Sequence, residues 1–242
     1  MNELDILYED NHLLVVNKPT GIATMGNEGG PAVHEIACRY IGEKYQKPGK
    51  VFLGIVHRLD SMSSGVLVLA RTSKAAARLS EQFRRTGSEG PHKVYVATVE
   101  GDVVETRGHF HDWIFKNERT HKMEAATAST PGAVEAELEY RVLRRAATTG
   151  LKATLVAVRL ITGRKHQIRV QFSERGHAVL GDIKYGAAQR SMRGIALHAW
   201  SLTINHPTKG EAMTFHAPLP ASWGQWKPTG DELKSLDQRS AW

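Results

Sequence analysis

The sequence predicts an α+β fold, a mixed and largely antiparallel β-sheet flanked by helices. Two observations support this prediction. Segments with strand character outnumber those with helical spacing, and short turns such as residues 205–210 join many neighbouring strands. We find neither a repeat nor a convincing linker, so we predict a single domain over residues 1–242, with residues 222–242 as a peripheral C-terminal tail.

Strands are predicted where apolar and β-branched residues are continuous, or where they alternate with charged ones. Continuous apolar runs indicate strands buried on both faces, whereas alternation over residues 134–142 indicates a strand with one exposed face. The predicted strands are residues 12–16, 66–69, 93–99, 134–142, 151–160, 195–204 and 212–215.

Helices are predicted at three places. The first opens at Pro31, which suits a first helical turn, and ends near residues 46–50. The second covers residues 74–85, with Ser73 as its N-cap and Gly87 after its end. The third is expected to open at the turn around Thr162, as its cap, and to stop at Gly176.

Composition excludes several classes of protein. No apolar run approaches the roughly 20 residues that a membrane-spanning helix needs, and the acidic N-terminus does not have the basic start of a signal peptide. A single cysteine, Cys38, excludes an internal disulfide and fits a reducing cytoplasm. The net charge of +7 suits a polyanionic partner, because neutralising phosphates releases condensed counterions.

The segment from Gly54 to Ala70, GIVHRLDSMSSGVLVLA, is the strongest candidate for a functional site. It places His57, Arg58 and Asp60 in a loop that runs into a buried apolar strand. Catalytic groups are often presented in this way, because a rigid scaffold fixes the loop. The alternative is a surface ion pair beside a turn, which is common in proteins.

A second concentration of charge follows the strand at residues 151–160. Arg164, Lys165, His166 and Arg169 fall within six positions at the predicted helix start. The N-terminus of a helix already carries partial positive charge, so cations there cost stability. We therefore expect this segment to hold an anionic group, either a carboxylate or a phosphate.

Residues 101–132 are polar, rich in histidine and without a regular strand or helix pattern. The histidines at positions 109, 111 and 121 are candidate metal ligands. The chain has neither an HxxxH helix nor a pair of cysteines, so we predict no metal site.

Five segments in this order resemble the RluA family of pseudouridine synthases. They are NKPTG at 17–21, HRLDSMSSGVLVLA at 57–70, KVYVATVEG at 93–101, LITGRKHQIRVQFSERGHAVLGDIKYG at 160–186 and LHAWSLTINHPTKGEAMTFHAPLP at 197–220. Ser63-Ser64 stands where the family usually has Thr-Ser, which keeps a hydroxyl. No additional N-terminal RNA-binding module is expected before NKPTG, so the catalytic domain would find its RNA alone.

The resemblance implies a role for five residues. Asp60 is similar to the essential carboxylate that attacks the uridine, and Arg58 to the arginine that enters the space left by the flipped base. Tyr95 matches the tyrosine that stacks on the uracil, and Arg169 the basic residue that pairs with the aspartate. Ile168 resembles the apolar lining of the pocket. The reaction needs no redox step, metal or external group, so no cofactor is expected.

RNA contacts are predicted for three further residues. The three are Lys18, at the rim of the turn at residues 17–21, Arg164, which with its neighbour Lys165 would meet RNA phosphates, and His57, which would position the adjacent Asp60. Asp182 and Tyr185 are interpreted as ordering their own loop.

The family resemblance implies rRNA or tRNA as the partner, without a membrane or a metal. We expect a monomer in the cytoplasm. Two alternatives remain open at this point. One is an RNA-binding protein of the same fold that has lost catalysis, against which the intact Asp60, Tyr95 and Arg169 argue. The other is a hydrolase built on His57 and Asp60, which has no serine in a nucleophile-elbow pattern to support it.

Overall fold

A computed structural model describes residues 4–26, 32–148, 151–188, 194–234, 236–238 and 242. The chain forms two compact units. The first unit comprises Met1–Pro91 and Ala199–Pro220, and the second comprises His92–His198 and Ala221–Trp242. The predicted single domain over residues 1–242 stays a prediction.

The described residues of the first unit form strands in both of its chain segments, together with two helices. In chain order its elements are β1 (Asp5–Glu9), β2 (Leu13–Lys18), α1 (Val33–Lys44), β3 (Gly54–Ile55), β4 (Ser64–Ala70), α2 (Ser73–Arg84) and β11 (Ala212–His216). Strand β10 (Leu197–Asn205) begins in the second unit and lies mostly in the first.

The second unit contains the remaining strands and helices. These are β5 (His92–Glu100), β6 (Arg107–Asn117), β7 (Lys122–Ala126), β8 (Val134–Thr148), β9 (Leu151–Leu160), α3 (Gln167–Ser173) and α4 (Gly230–Leu233), with 3-10 helices at Ile183–Tyr185 and Ala221–Trp226. The predicted α+β fold with a largely antiparallel sheet is confirmed, since β1–β2, β2–β4 and β10–β11 pair antiparallel, as do the neighbours in the order β5-β9-β8-β6-β7.

The core of the first unit explains why β2 and β4 are continuous apolar runs. Every residue of β4 is buried, and β2 pairs with it from Leu13↔Ala70 to Lys18↔Gly65. Helix α2 packs its Ala75 and Leu79 onto this sheet beside residues of β10 and β11. A strand covered on both faces contains few polar positions, which is the pattern observed here.

The second unit packs α3 against one face of its sheet. Phe172 of α3 meets Phe110 of β6 and Tyr140 of β8, with ring centroids 5.1 and 5.6 Å away. Val170 belongs to a second cluster that includes Ile114 of β6. These contacts fix α3 on β6 and β8, and with it the position of the segment that precedes α3.

Several boundaries differ from the predictions. Thr72, not Ser73, caps α2, because its side chain accepts a hydrogen bond from the Ala75 N–H. The predicted opening of α1 at Pro31 lies outside the described residues. The tail is not wholly peripheral, since Trp223 and Trp226 are buried in the second unit. Among the described helices, none has the length and apolar character that a membrane crossing requires.

Candidate active site

The loop that carries Asp60 is held at both ends by hydrogen bonds within the first unit. The buried Thr24 hydroxyl donates to the Leu59 carbonyl at 2.9 Å and accepts from the Leu59 N–H at 3.1 Å. On the other side, Ser63 donates to the Asp60 carbonyl through its N–H and its hydroxyl. The backbone of Asp60 is therefore fixed, and its side chain is only partly exposed.

The turn at residues 17–21 packs against this loop and is hydrogen-bonded to it. The Gly21 N–H donates to the Ser61 carbonyl at 2.7 Å, and the Thr20 hydroxyl donates to the Met62 carbonyl at 2.6 Å. Two sequence segments about 40 residues apart, each singled out by the sequence analysis, are thus one structural feature.

Lys18 is fully buried, which corrects the expectation that it lies at the rim of its turn. Its ammonium donates to the carbonyls of Pro19, Ile22 and Ser61 at 2.8–3.3 Å. Burial lowers the pKa of Lys18 to about 8, while the negative charge of Asp60 opposes that shift. The loop therefore places the Asp60 carboxylate in the field of a buried cation.

Lys18 also predicts a pH dependence of stability. The folded protein binds the Lys18 proton less tightly than the unfolded chain, so the unfolded chain binds more protons between pH 8 and 10.5. The free energy of unfolding of the wild type, relative to Lys18→Met, should rise across this window, by at most about 1.4 kcal/mol per pH unit. Denaturant unfolding of both proteins at several pH values checks this. A constant difference would contradict it, and the exposed Lys152→Met serves as the pH-independent control.

Gly65 ends the loop at a place where no side chain fits. Its φ is +119°, and a β-carbon there would lie 2.2 Å from the Ala199 carbonyl oxygen. Strand β4 can therefore begin directly after the loop only because residue 65 is glycine.

His57 is held in a fixed position by two contacts. Its Nε2 accepts a hydrogen bond from the Val68 N–H at 2.9 Å, and its ring stacks on Phe83 at a centroid distance of 4.5 Å. Because Nε2 is an acceptor there, it carries no proton. This geometry favours a positioning role over proton transfer. Arg58, the next residue, is exposed.

Tyr95 lies in the middle of β5 in the second unit. It pairs in register with Val158 of β9, and it is partly buried, whereas its neighbours Val94 and Val96 are fully buried. Successive residues of a strand face opposite sides, so Tyr95 shares its face with Lys93 and Ala97.

Arg169 lies in α3 and makes a buried bidentate ion pair, so the cationic segment at residues 164–169 does hold a carboxylate as expected, although the sequence did not indicate which one. Its Nε and Nη2 donate to the two carboxylate oxygens of Asp182 at 2.6 and 2.8 Å, and the two side chains are 4% and 1% exposed. The Arg169 guanidinium also lies 4.7 Å from the centroid of the Tyr185 ring. Asp182 and Tyr185 thus orient Arg169 and do more than order their own loop.

The Tyr185 hydroxyl extends this arrangement. It accepts a hydrogen bond from the Met123 N–H at 3.0 Å and shares one with His166 Nδ1 at 2.7 Å. The sequence signals for this network were the cationic segment at residues 164–169 and the turn GDIKYG, which contains a charged and an aromatic residue.

Helix α3 begins later than predicted. It starts at Gln167, with His166 at its N-cap in the left-handed region at φ 53°. Thr162 does not cap it; the Thr162 hydroxyl donates to Gln167 Oε1 at 2.8 Å. Arg164 therefore lies in the loop before the helix, where its Nε donates to the Glu135 carbonyl at 2.8 Å.

The predicted site residues fall into two groups. Lys18, His57, Arg58 and Asp60 lie in the first unit, within or beneath one loop, whereas Tyr95, Arg164, Ile168 and Arg169 lie in the second. Ile168 is buried, at 3% exposure. The predicted pairing of Asp60 with Arg169 stays a prediction. Among the described residues, no group of three or more His, Cys, Asp or Glu side chains could hold a metal ion.

Comparison with protein families gives a match that covers the whole predicted site. Residues 12–174 match the family model described as RNA pseudouridylate synthase. This range includes all eight predicted site residues, from Lys18 to Arg169.

Two bacterial relatives match nearly the whole chain. The dual-specificity RNA pseudouridine synthase RluA of Haemophilus influenzae is 35% identical over 222 residues, which cover 88% of this chain and 92% of that protein. The uncharacterized RNA pseudouridine synthase YhcT of Bacillus subtilis is 36% identical over 220 residues, covering 90% of this chain and 70% of that protein.

Solved structures show the same fold. Human RNA pseudouridylate synthase domain containing 4 is 25% identical, with a TM-score of 0.72 over 89% of this chain and 88% of that one. Human RNA pseudouridylate synthase domain containing 1 is 24% identical, with a TM-score of 0.74 over 98% of this chain and 95% of that one.

Proposed function

The chain belongs to the RNA pseudouridylate synthase family, and from that membership we propose that Asp60 is the carboxylate with which it isomerises uridine to pseudouridine in RNA. The observation that carries the proposal is the fixed loop around Asp60, held over the buried ammonium of Lys18. The same loop carries one of the five segments that together resemble the family.

Isomerisation of uridine requires a site that can hold a base outside the RNA stack while one bond breaks and another forms. The glycosidic bond at N1 breaks, the uracil turns, and a new bond forms at C5. The base cannot turn within a stacked helix, so it must leave the stack at a cost of a few kcal/mol. The exposed Arg58 is the side chain proposed to enter the space that the base vacates.

Asp60 must remain ionised to act as a nucleophile. Loss of water around a carboxylate raises its pKa, and a neighbouring cation opposes that change. Lys18 supplies such a charge from below the loop, so we assign to Lys18 a role toward Asp60 in place of direct contact with RNA. Arg169 is the second cation proposed for this role.

Tyr95 is proposed to stack on the uracil, because an aromatic face binds a base whatever hydrogen bonds the base makes. Ile168 is proposed to contribute to the apolar wall of the pocket, and Arg164 to contact an RNA phosphate. His57 positions the Asp60 loop through its contacts with Val68 and Phe83.

The substrate is proposed to be ribosomal RNA or tRNA. Relatives are named as large-subunit ribosomal synthases and as a dual-specificity synthase. The net charge of +7 is consistent with either polyanion. We further propose that the protein acts as a monomer in the cytoplasm, on a single catalytic domain and without a metal or a cofactor.

Tritium release tests this function. Transcripts of tRNAs and of large-subunit rRNA, labelled at C5 of uridine, are incubated with the purified protein. Isomerisation replaces the C5–H bond by the new C–C bond and releases tritium to water, whereas binding alone releases none. Failure of every transcript, and no loss of pseudouridine from the total RNA of a deletion strain, would contradict the proposal.

Tyr95→Phe is expected to slow isomerisation while RNA affinity stays within about tenfold, because the stacking ring remains. Single-turnover tritium release and RNA-binding titrations separate these two effects. A Tyr95→Phe protein with a normal rate and poor RNA binding would show that the hydroxyl serves binding instead. The exposed Tyr45→Phe is the matched control, expected to leave both quantities unchanged.

A further inference from the structure

Lys93 is a partly buried lysine on β5, two residues before Tyr95 and on the same face of the strand. It pairs in register with Leu160, the last residue of β9, directly before the loop that leads to α3. Its ammonium therefore lies beside that loop, where a β-carbon built on Gly163 would be 3.1 Å from Lys93 Nζ.

This ammonium has no compensating partner within the described part of the chain. Neither a hydrogen bond nor a carboxylate contributes to its electrostatic environment, and the one charge that acts on it is the positive charge of Arg164. Lys18 provides the contrast, because that buried ammonium donates to three carbonyls and faces Asp60.

Such an arrangement is unfavourable in the free protein. Burial, and then repulsion by Arg164, lower the pKa of Lys93 to about 8. With that pKa the side chain is still mostly protonated at neutral pH. An unpaired cation that is largely removed from water costs free energy unless an anion joins it.

We propose that Lys93 and Arg164 together bind one phosphate of the substrate RNA, the phosphodiester next to the uridine that is flipped onto Tyr95. A phosphate offers a full negative charge and several acceptor oxygens, so it compensates both cations at once. A neutral uracil carbonyl would compensate neither charge fully. Because Gly163 has no side chain, it leaves the space beside Lys93 Nζ open, where a β-carbon would lie 3.1 Å from that atom.

The spacing along β5 agrees with this arrangement. Two residues of a strand span about 7 Å, which is comparable to the reach from a nucleobase to its own phosphate. Tyr95 would receive the base and Lys93 the backbone of the same nucleotide. The inference rests on the proposed function for the identity of the nucleotide, while the anion site itself depends only on the second unit.

Lys93→Met tests the site, with Lys93→Arg as the variant that keeps the charge. RNA affinity is measured over a series of salt concentrations on the transcript that the wild type isomerises, or on large-subunit rRNA if none is isomerised. Lys93→Met is expected to weaken binding about tenfold at low salt and to reduce the slope of log affinity against log salt by about 0.7–0.9, the value for one lost phosphate contact. Lys93→Arg should retain most of the wild-type RNA affinity and most of the wild-type salt slope.

The matched control is Lys152→Met, an exposed lysine on β9 of the same unit, 3.9 Å from Asp102. It should leave the affinity and the slope near their wild-type values. Thermal unfolding provides an independent readout. Lys93→Met is expected to melt at the same temperature as the wild type or a few degrees higher, since it removes an unpaired cation, whereas a lysine with a structural role would lower the melting temperature when replaced.

Single neutral linkages then locate the phosphate. RNA with a methylphosphonate beside the target uridine should bind the wild type as weakly as normal RNA binds Lys93→Met. Combining the methylphosphonate RNA with the Lys93→Met protein should weaken binding no further than either change alone. A Lys93→Met protein with wild-type affinity and salt slope overturns the proposal. So does a Lys93→Met loss that persists in full on the neutral linkage, which would assign the lysine to the base. Absence of tritium release in the wild type would refute the proposed function but leave the salt test of this site intact.

Discussion

Asp60→Asn is expected to lower the rate of tritium release by about a thousandfold or more, because an amide cannot act as the nucleophile. Its affinity for RNA should stay within about tenfold of the wild type, since phosphate contacts dominate binding. The substitution keeps the size of the side chain, and Thr24 and Ser63 bind only the backbone of the loop. The fold should therefore be preserved.

The measurement compares single-turnover tritium release with an RNA-binding titration and a thermal melt of the same preparation. Asp102→Asn, which changes an exposed carboxylate in the second unit, is the control and should react at the wild-type rate. Retained turnover in a folded Asp60→Asn protein would exclude Asp60 as the essential carboxylate. If Asp60→Asn loses both turnover and folding, Asp60→Glu is measured in its place, because it keeps the charge and should retain the fold.

Arg169→Met is expected to lower the free energy of unfolding by about 3–5 kcal/mol, the usual effect of leaving one member of a buried ion pair without its partner. The Asp182 carboxylate is 1% exposed, so water cannot replace the two hydrogen bonds from Arg169. Denaturant unfolding of the two proteins measures the difference.

The double variant Arg169→Met with Asp182→Asn separates the pair from the packing around it. It should regain a substantial part of the lost stability, because the uncompensated charge has been removed. A single Arg169→Met variant that loses less than about 1 kcal/mol would show that the pair contributes little. Arg175→Met is a suitable control, since its ion pair with Asp112 is about one-third exposed.

The polar hairpin of β6 and β7 was not predicted because its strand pattern is obscured. His109 and His111 occupy the exposed positions of β6, and each bonds to a glutamate of β8, Glu137 and Glu135. These contacts join residues more than 20 positions apart, so they cannot be predicted from the local sequence. Propensity also fails at exposed strand positions, because cross-strand partners decide the preference there.

The sequence by itself determined the fold class, most of the strands and the identity of the candidate site. Buried strands such as β4 and β9 are recognisable because burial requires mostly apolar residues. The HRLD, KVY and HQIR segments are recognisable because each family motif consists of a few adjacent residues. Tertiary structure alone decided that Lys18 is buried beneath the Asp60 loop, that Asp182 holds Arg169 and that Lys93 lacks a counter-charge in the described chain. The physical reason is that burial and charge compensation depend on groups distant in the sequence, which only folding brings within a few ångströms of one another.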